Sequence, residues 1–159
     1  MPPVQLNALH RGLPQAEAPT VILLHGLFGS AANLGMVARG LQDSFCVYSL
    51  DLLNHGLSPR SDSMTYPEMA ADVLGFMDSQ ALASAAVLGH SMGGKVAMQL
   101  ALDTPDRVGK LVVADIAPVA YQHDHDHVLD GLAAVEEAGV TNRREADAVL
   151  ARYEGEPGV

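Results

Sequence analysis

The chain of 159 residues has a formal net charge of −10, from 19 acidic and 9 basic residues. That sign argues against phosphate backbones and anionic membranes as partners, so nucleic-acid binding is not expected. With 48% hydrophobic and 18% charged residues, the composition is that of a globular protein with a substantial core. The single cysteine, Cys46, allows neither an internal disulfide nor a thiolate metal cage, and we expect no metal and no cofactor.

The N-terminal segment and the lengths of the apolar runs indicate the cellular compartment expected for the protein. The N-terminal segment has no basic stretch followed by a long apolar one, so a secretory signal is not predicted. No apolar run approaches the length of a membrane span. These features predict a cytoplasmic protein.

Five short apolar runs are predicted to form β-strands. The first alternates apolar and polar residues, as a half-exposed strand does. The other four are nearly continuous, as strands covered on both faces are. The runs span residues 4–9, 20–26, 45–51, 85–91 and 110–116.

Helical patterns separate these strands. One covers residues 31–41, and a second opens at Thr65, which has the spacing of a capping box with Glu68. A third begins at Met92 and stops before Pro105, because the residue before a proline is pushed out of the helical conformation. Strands that alternate with helices predict an α/β fold, with a mostly parallel sheet, right-handed crossovers and flanking helices.

The character of the chain changes after Pro118. The remaining segment has the pattern of two polar, acidic helices with no strand between them. We therefore divide the chain into residues 1–118, which contain the predicted sheet, and residues 119–159.

The stretch GHSMGG places Ser91 between Gly89 and Gly93, where the fourth predicted strand meets a helix. A serine on such a sharp turn has a strained backbone, and only small residues two positions before and after it avoid a clash. The helix that follows directs free N–H groups and the positive end of its dipole toward the same place. The motif in this context predicts a nucleophilic serine, and a serine hydroxyl needs a base beside it to react.

A second loop, HGLFGS at residues 25–30, follows the second predicted strand. Ligands bind at the carboxyl ends of parallel strands, so this loop and Ser91 are expected at the same edge of the sheet. Acyl transfer requires two N–H donors aimed at the developing oxyanion. The backbone N–H groups of Leu27 and Met92 are predicted to supply them, with Phe28 as a nearby alternative.

Together with DLLNHGLSPR, MTYPEMAADV and VVADIAPV, these motifs resemble the α/β-hydrolase superfamily, and most closely its small bacterial esterases that act on short acyl esters. The resemblance implies that Ser91 is the nucleophile and that Asp115 is the triad acid, although many relatives place the acid one strand later. It assigns the oxyanion hole to the backbone of Leu27 and Met92. It also implies that the neighbouring side chains contact the substrate, namely Phe28 and His90.

The resemblance covers about the first half of such an enzyme. It implies that residues 1–118 are the N-terminal part of the core, that residues 119–159 begin a helical cap, and that the C-terminal core strands are absent. Two features depart from the family pattern: Leu53 stands where an arginine is usual, and the family's catalytic histidine would lie beyond residue 159. We therefore expect a serine carboxylic-ester hydrolase that acts on a small-molecule ester through an acyl-enzyme and is incomplete as given.

Other functions stay open at this point. A chain without its base could be a catalytically silent module that binds small molecules on the same fold. A perhydrolase or a lyase on this scaffold would carry the same motifs. Serine at position 91 argues against the dehalogenase and epoxide hydrolase relatives, which use an aspartate nucleophile.

None of the seven histidines is a convincing base in this sequence. His25 and His55 are predicted to brace their loops. The side chain of His90 is expected to diverge from that of its neighbour Ser91, because adjacent side chains on a sharp turn point apart.

A cluster of three histidines, His123, His125 and His127, alternates with aspartates. On an extended segment these histidines would face one way and could converge on a metal. The preferred interpretation is a solvated, acidic segment that leads into a helix.

The strand predicted at residues 110–116 has no later strand to pair with, so its apolar length forms an edge of the sheet. Exposed edges invite pairing with another chain. We expect self-association through this edge.

Overall fold

The computed structural model describes residues 4–119 and 126–153. The chain divides into two compact units, Met1–Pro118 and Val119–Val159. The boundary between them is the one that the change in sequence character indicates. The assignment of the second unit as the start of a cap stays a prediction.

The first unit is built on a five-stranded sheet. Its strands are β1 (Ala8–Gly12), β2 (Thr20–Leu24), β3 (Cys46–Leu50), β4 (Ala85–His90) and β5 (Val108–Ala114). They lie in the order β1-β3-β2-β4-β5. Strands β2 to β5 run parallel to one another, and β1 runs antiparallel to β3. The prediction of a mostly parallel sheet is confirmed.

The helices of the first unit are α1 (Gly35–Leu41), α2 (Tyr66–Ser79) and α3 (Met92–Asp103). A 3-10 turn at Ala31–Leu34 precedes α1, so the helix predicted over residues 31–41 is split in two. The second unit contains α4 (Asp126–Glu137) and α5 (Arg143–Leu150), with no strand among its described residues. No helix in the described part of the chain combines the length and the apolar character that a membrane crossing requires.

The start of α2 confirms the predicted capping box. The Glu68 N–H donates to Thr65 Oγ1 at 3.4 Å, and the Thr65 N–H donates to Glu68 Oε2 at 2.9 Å. These two bonds satisfy N–H groups that the start of a helix leaves without partners. The buried side chains of α2 recur at helical spacing and pack against the sheet; they include Met69, Val73, Phe76 and Met77.

Apolar side chains cover both faces of the sheet. Strand β2 lies at its centre and is buried along its whole length. Ile22 and Leu24 pack into a large cluster with side chains of α2 and α3. Val21 and Leu23 point to the other face and pack with Ala38 of α1. These two layers hold the carboxyl ends of the parallel strands in fixed positions.

The first strand begins later than the prediction of residues 4–9, which is wrong at both ends. The Val4 N–H donates to Asp72 Oδ1 at 2.8 Å, and the Asn7 N–H donates to Ser58 Oγ at 2.8 Å. These side chains come from distant parts of the chain and take N–H groups that a longer ladder would need. Pairing with β3 therefore starts only where β1 begins.

Strand β5 forms the second edge of the sheet. Its pairing partner among the described residues is β4 alone. Leu111 and Val112 of this strand are 41% and 49% exposed, which is high for apolar residues in a β-strand. The edge itself is as predicted, and self-association through it stays a prediction.

Candidate active site

Four loops meet at the edge of the sheet where the parallel strands β2 to β5 end. Each loop contains one residue other than glycine with a positive φ: Phe28 (59°), Asn54 (65°), Ser91 (50°) and Asp115 (57°). Such conformations are uncommon outside glycine and cost about 1–3 kcal/mol each. Within the described residues, four of the five positive-φ residues that are not glycine lie at this edge, and strain of this kind is typical of functional sites.

Ser91 lies at the apex of the turn between β4 and α3, with φ 50° and ψ −119°. A Cβ at Gly89 would stand 2.1 Å from the carbonyl oxygen of Gly93, and a Cβ at Gly93 would stand 2.3 Å from the carbonyl oxygen of Leu24. In both cases the obstacle is backbone, which cannot rotate away. The steric role predicted for the two glycines is confirmed.

The start of α3 leaves polar groups of this turn without internal partners. Ser91 Oγ does not cap the helix. The Gly94 and Lys95 N–H groups bond instead to the Ser91 carbonyl oxygen, at 2.8 and 3.2 Å. In the described residues the Met92 N–H has no hydrogen-bond acceptor, as is usual for the first turn of a helix. This N–H and the serine hydroxyl are therefore available to a ligand.

The loop after β2 passes close to Ser91. A Cβ at Gly26 would stand 3.3 Å from Ser91 Cβ, so a glycine lets the loop approach. The Phe28 N–H donates to His55 Nε2 at 3.3 Å, whereas the Leu27 N–H makes no hydrogen bond in the part of the chain that the structure describes. Leu27, rather than the alternative Phe28, thus has the available N–H of this loop.

His25 braces the same loop from inside the protein. The residue is 1% exposed. Its Nε2 accepts the Leu52 N–H at 3.0 Å, so the ring proton lies on Nδ1. Nδ1 donates that proton to the Gly26 carbonyl oxygen at 2.7 Å. Burial lowers the pKa of His25 below its usual value of 6.5, and nearby His55 adds to this effect. The prediction that His25 braces the loop is confirmed.

His55 is engaged in the same way. Its Nε2 accepts the Phe28 N–H, and its Nδ1 lies 2.8 Å from the Leu53 carbonyl oxygen, to which it donates. The rings of His55 and His25 have centroids 5.1 Å apart. With both ring nitrogens occupied, His55 is a loop brace, as predicted, and is not available as a base.

Asp51, the residue after β3, connects three loops and was missed in the sequence analysis. Its Oδ1 accepts the Ala31 N–H at 2.6 Å, and its Oδ2 accepts Asn7 Nδ2 at 2.8 Å and the Leu57 N–H at 2.9 Å. Burial alone would raise the pKa of this carboxyl, but these hydrogen bonds outweigh it and hold the pKa below its usual value. The only available signal was an aspartate directly after a buried strand.

Asp115 and His90 meet at the ends of β5 and β4. Asp115 Oδ2 lies 3.6 Å from His90 Nε2, with side chains 84% and 45% exposed, which is an electrostatic contact slightly longer than a hydrogen bond. A Cβ at Gly26 would stand 3.2 Å from His90 Nδ1 and 3.3 Å from Ser91 Cβ. The expectation that the side chains of His90 and Ser91 diverge stays a prediction.

All of the residues predicted to form the site lie at this edge of the sheet, and their catalytic and binding roles stay predictions. They are Ser91, Asp115, Leu27, Met92, Phe28 and His90. The contact between His90 and Asp115 was not predicted, because no local pattern indicates which strands lie side by side.

The alternative metal site falls largely outside the described residues. His123 and His125 lie there, and His127 lies in the first turn of α4. In the ranges 4–119 and 126–153, no group of three or more potential metal ligands comes together.

Residues 19–151 match the family described as alpha/beta hydrolase fold. Over 140 residues the chain is 44% identical to esterase YbfF of Escherichia coli strain K12. This alignment covers 87% of this chain and 55% of that protein. Over 107 residues it is 47% identical to the sn-1-specific diacylglycerol lipase ABHD11 of Xenopus tropicalis, covering 66% of this chain and 34% of that protein. A solved structure of a marine microorganism esterase superposes with a TM-score of 0.87 at 39% identity, covering 96% of this chain and 59% of that one.

The chain spans about half the length of the curated relatives that it matches. The family match covers β2 to β5 and the four loops that follow them. The sequence motifs, the sheet order and the strained serine turn agree with that match. The chain therefore belongs to the alpha/beta hydrolase fold family.

Proposed function

We propose that this protein is a serine carboxylic-ester hydrolase that acts through an acyl-enzyme on Ser91. The observation that carries the proposal is the strained backbone of Ser91, with φ 50°. The serine stands between Gly89 and Gly93, where a larger residue would clash with the surrounding backbone. Its hydroxyl does not cap the helix that follows, so helix capping does not account for the strain, whereas presentation of a nucleophile does. The relatives named esterase and lipase support the same class of reaction.

In the proposed reaction, Ser91 Oγ attacks the carbonyl carbon of the ester and its proton passes to a base. The carbonyl oxygen becomes an oxyanion, which the N–H groups of Leu27 and Met92 receive. The bond from carbon to the alcohol oxygen then breaks, and the leaving alkoxide takes the proton from the base. Water attacks the acyl-enzyme in the same way, which releases the carboxylic acid and restores Ser91.

Asp115 is the proposed acid of this site. It lies at the end of the strand next to that of Ser91, and 84% of its side chain is exposed, so an imidazole can reach it. In a triad the acid orients the imidazole and stabilises its charged form. The histidine that the family resemblance implies would follow residue 159, and we propose that it completes the triad of the whole enzyme.

The proposed substrate is a small-molecule ester. Phe28 is 54% exposed beside the Ser91 loop, and its aromatic ring offers an apolar surface to an acyl chain. His90, which borders the same space, is the second proposed substrate contact. The formal net charge of −10 disfavours anionic substrates through long-range repulsion.

A catalytically silent module that binds small molecules is the second candidate. The observation in its favour is that the two buried histidines of the site loops, His25 and His55, have all ring nitrogens in hydrogen bonds to the backbone. Such a module would hold an ester at Ser91 without turning it over.

Covalent labelling tests the nucleophile. A fluorophosphonate probe reacts with an activated serine, and peptide mass spectrometry locates the label. In the whole enzyme, where the later histidine completes the triad, we expect one label at Ser91 and none in Ser91→Ala. Ser84→Ala is the matched control, because Ser84 is an exposed serine at the other end of β4, and it should label like the wild type. A folded protein that does not label, or that labels elsewhere, contradicts the proposal.

Turnover distinguishes the two candidates. Loss of the triad serine removes on the order of a million-fold in turnover from a complete serine hydrolase. Hydrolysis of 4-nitrophenyl acetate by the whole enzyme that disappears in its Ser91→Ala variant supports the esterase. Labelling of the whole enzyme at Ser91, with hydrolysis equal to that of its Ser91→Ala variant, supports the binding module.

A further inference from the structure

We propose that a groove between β1 and α1 binds an aliphatic carboxylate, the class of acid that the proposed esterase releases. The groove has a volume of about 430 Å³ and lies within the first unit, on the face of the sheet that α1 covers. The residues that carry the argument are Leu9, Arg11, Ala32, Gly35, Arg39 and Ser49. The link to the reaction product rests on the proposed function, whereas binding itself does not.

The register of the sheet sets one side of this groove. Leu9 stands opposite Ser49, and Arg11 stands opposite Val47, on the antiparallel strands β1 and β3. Residues that face each other in such a pair point to the same side of the sheet. Val47 packs in one cluster with Ala38 of α1, so these side chains all lie on the α1 side. Leu9 is 50% exposed, and much of its apolar surface is therefore open to a ligand.

Small residues form the opposite wall. Gly35, Ala38 and Arg39 stand at positions i, i+3 and i+4 of α1 and line the groove together. Ala31 and Ala32 of the preceding 3-10 turn extend this wall. A Cβ at Gly35 would meet no atom within 4 Å outside the helix's own backbone. The space in front of α1 is therefore open, and a ligand can occupy it without displacing a side chain.

The hydroxyl of Ser49 borders the groove. Ser49 is 3% exposed, and its Oγ makes no hydrogen bond to any residue that the structure describes. In that part of the chain, every side-chain N or O atom that is shut off from the surface has a partner, so Ser49 Oγ reaches the surface. The surface that Ser49 lines is this groove. Because buried polar groups in proteins are normally hydrogen-bonded, we infer that this hydroxyl bonds to a ligand there.

Two arginines give the groove a positive charge. Arg11 of β1 and Arg39 of α1 both line it, and neither forms an ion pair with a described residue. The described residues that line it include no aspartate or glutamate, although the chain as a whole has a net charge of −10. A guanidinium offers parallel N–H donors that match the two oxygens of a carboxylate. The groove therefore favours an anion in a protein that otherwise repels one.

The three kinds of group together indicate one class of ligand. Ser49 and Arg11 are diagonal neighbours across β1 and β3, a separation that a long side chain spans, so both can bond to one carboxylate. Leu9 and the alanines fit an aliphatic chain, whose burial is favourable. A phosphate ion would leave this apolar surface uncovered, and a neutral alcohol would leave the arginines without a partner. An aliphatic carboxylate uses all of these groups.

Titration of the whole enzyme with hexanoate, followed by NMR, tests the groove. We expect saturable shifts of the amide signals of Leu9, Ala32 and Ser49. Acetate and hexanol, which each lack one part of the ligand, and inorganic phosphate should bind at least about tenfold more weakly. Shifts confined to the signals of Leu27 and Met92 would place hexanoate in the proposed active site and overturn the groove. Equal binding of phosphate would overturn the class of ligand.

A leucine in place of glycine blocks the groove at a chosen point. Gly35→Leu fills the space in front of α1, and we expect it to weaken hexanoate binding at least about tenfold. Gly40→Leu is the matched control, because Gly40 lies in the same helix, has equally open space around its Cβ position and does not line the groove. It should bind hexanoate as the wild type does. Equal affinities of the two variants would overturn the site.

Loss of charge tests the two arginines. Arg11→Gln and Arg39→Gln should each weaken hexanoate binding about fivefold, and added salt should weaken binding to the wild type. Arg144→Gln, at an exposed position of α5, is the control and should leave the affinity unchanged. Wild-type affinity in both Arg11→Gln and Arg39→Gln would overturn the placement of the carboxylate.

Fluorophosphonate labelling of Ser91 in the same preparation separates this inference from the proposed function. An enzyme that binds hexanoate in the groove but does not label would keep the groove and overturn its link to the reaction product. An enzyme that labels at Ser91 but shows no shifts at Leu9 and Ser49 would keep the nucleophile and overturn the groove.

Discussion

Alanine at Gly89 perturbs the serine turn without adding a polar group. Its Cβ would stand 2.1 Å from the Gly93 carbonyl oxygen, where real contacts of this kind stay above 3.0 Å. The obstacle is backbone, so β4 and α3 would have to separate by roughly 1 Å, and overpacking on that scale costs about 3 kcal/mol. A domain of this size is stabilised by only about 5–15 kcal/mol, so the loss should be large and easily measured.

Urea unfolding followed by far-UV circular dichroism gives the free energy of unfolding, since the chain has no tryptophan. Gly40→Ala is the matched control. Gly40 lies in α1, and a Cβ at this position would have no neighbouring atom within 4 Å outside the helix's own backbone. Relief of the helical glycine should stabilise that variant by up to about 1 kcal/mol. The same substitution should thus have opposite signs at the two positions.

Folded Gly89→Ala should also label more slowly at Ser91 with a fluorophosphonate, because a displacement of about 1 Å at a catalytic group costs about a hundred-fold in rate. An unfolding free energy within about 0.5 kcal/mol of the wild type, together with an unchanged labelling rate, would refute the close packing of the turn.

Three further outcomes follow from the structure. Burial lowers the pKa of His25 in the folded protein, so its neutral form contributes stability that is complete above pH 6.5 and is lost as the pH falls through the pKa of the folded state. The urea midpoint of the wild type should therefore fall more steeply below pH 6.5 than that of His25→Gln. Parallel pH profiles of the two proteins would contradict this. Asp51→Asn should lower the unfolding free energy by about 2 kcal/mol, since an amide cannot accept all three hydrogen bonds, while Asp106→Asn in an exposed turn should change it by less than about 0.5 kcal/mol. Sedimentation velocity should show that copies of this chain associate more as the concentration rises, and that Val112→Lys weakens this association. Leu102→Lys, at an exposed position of α3, is the control. An equal effect of that substitution would argue against association through the β5 edge.

Three predictions based on nearby residues agreed with the structure. The capping box of Thr65 and Glu68, the continuous apolar run of β2 and the two glycines around Ser91 each depend on residues within a few positions of one another. In those cases backbone geometry and burial alone select the conformation, so the pattern predicts it. The start of β1 was predicted wrongly because its limit is set by distant acceptors, including Asp72.

The sequence by itself determined the α/β fold and the serine at a strained turn, because each is encoded by a local pattern of apolar residues and glycines. The candidate acid, Asp115, came from the resemblance to the family. Only the tertiary structure decided which groups meet. Strand order β1-β3-β2-β4-β5 places the end of β5 beside that of β4, and this neighbourhood brings Asp115 to His90. The same packing turns His25 and His55 into loop braces and gives Asp51 its three donors. Hydrogen bonds between distant loops depend on how strands are ordered in space, and hydrophobic periodicity along the chain carries no information on that order.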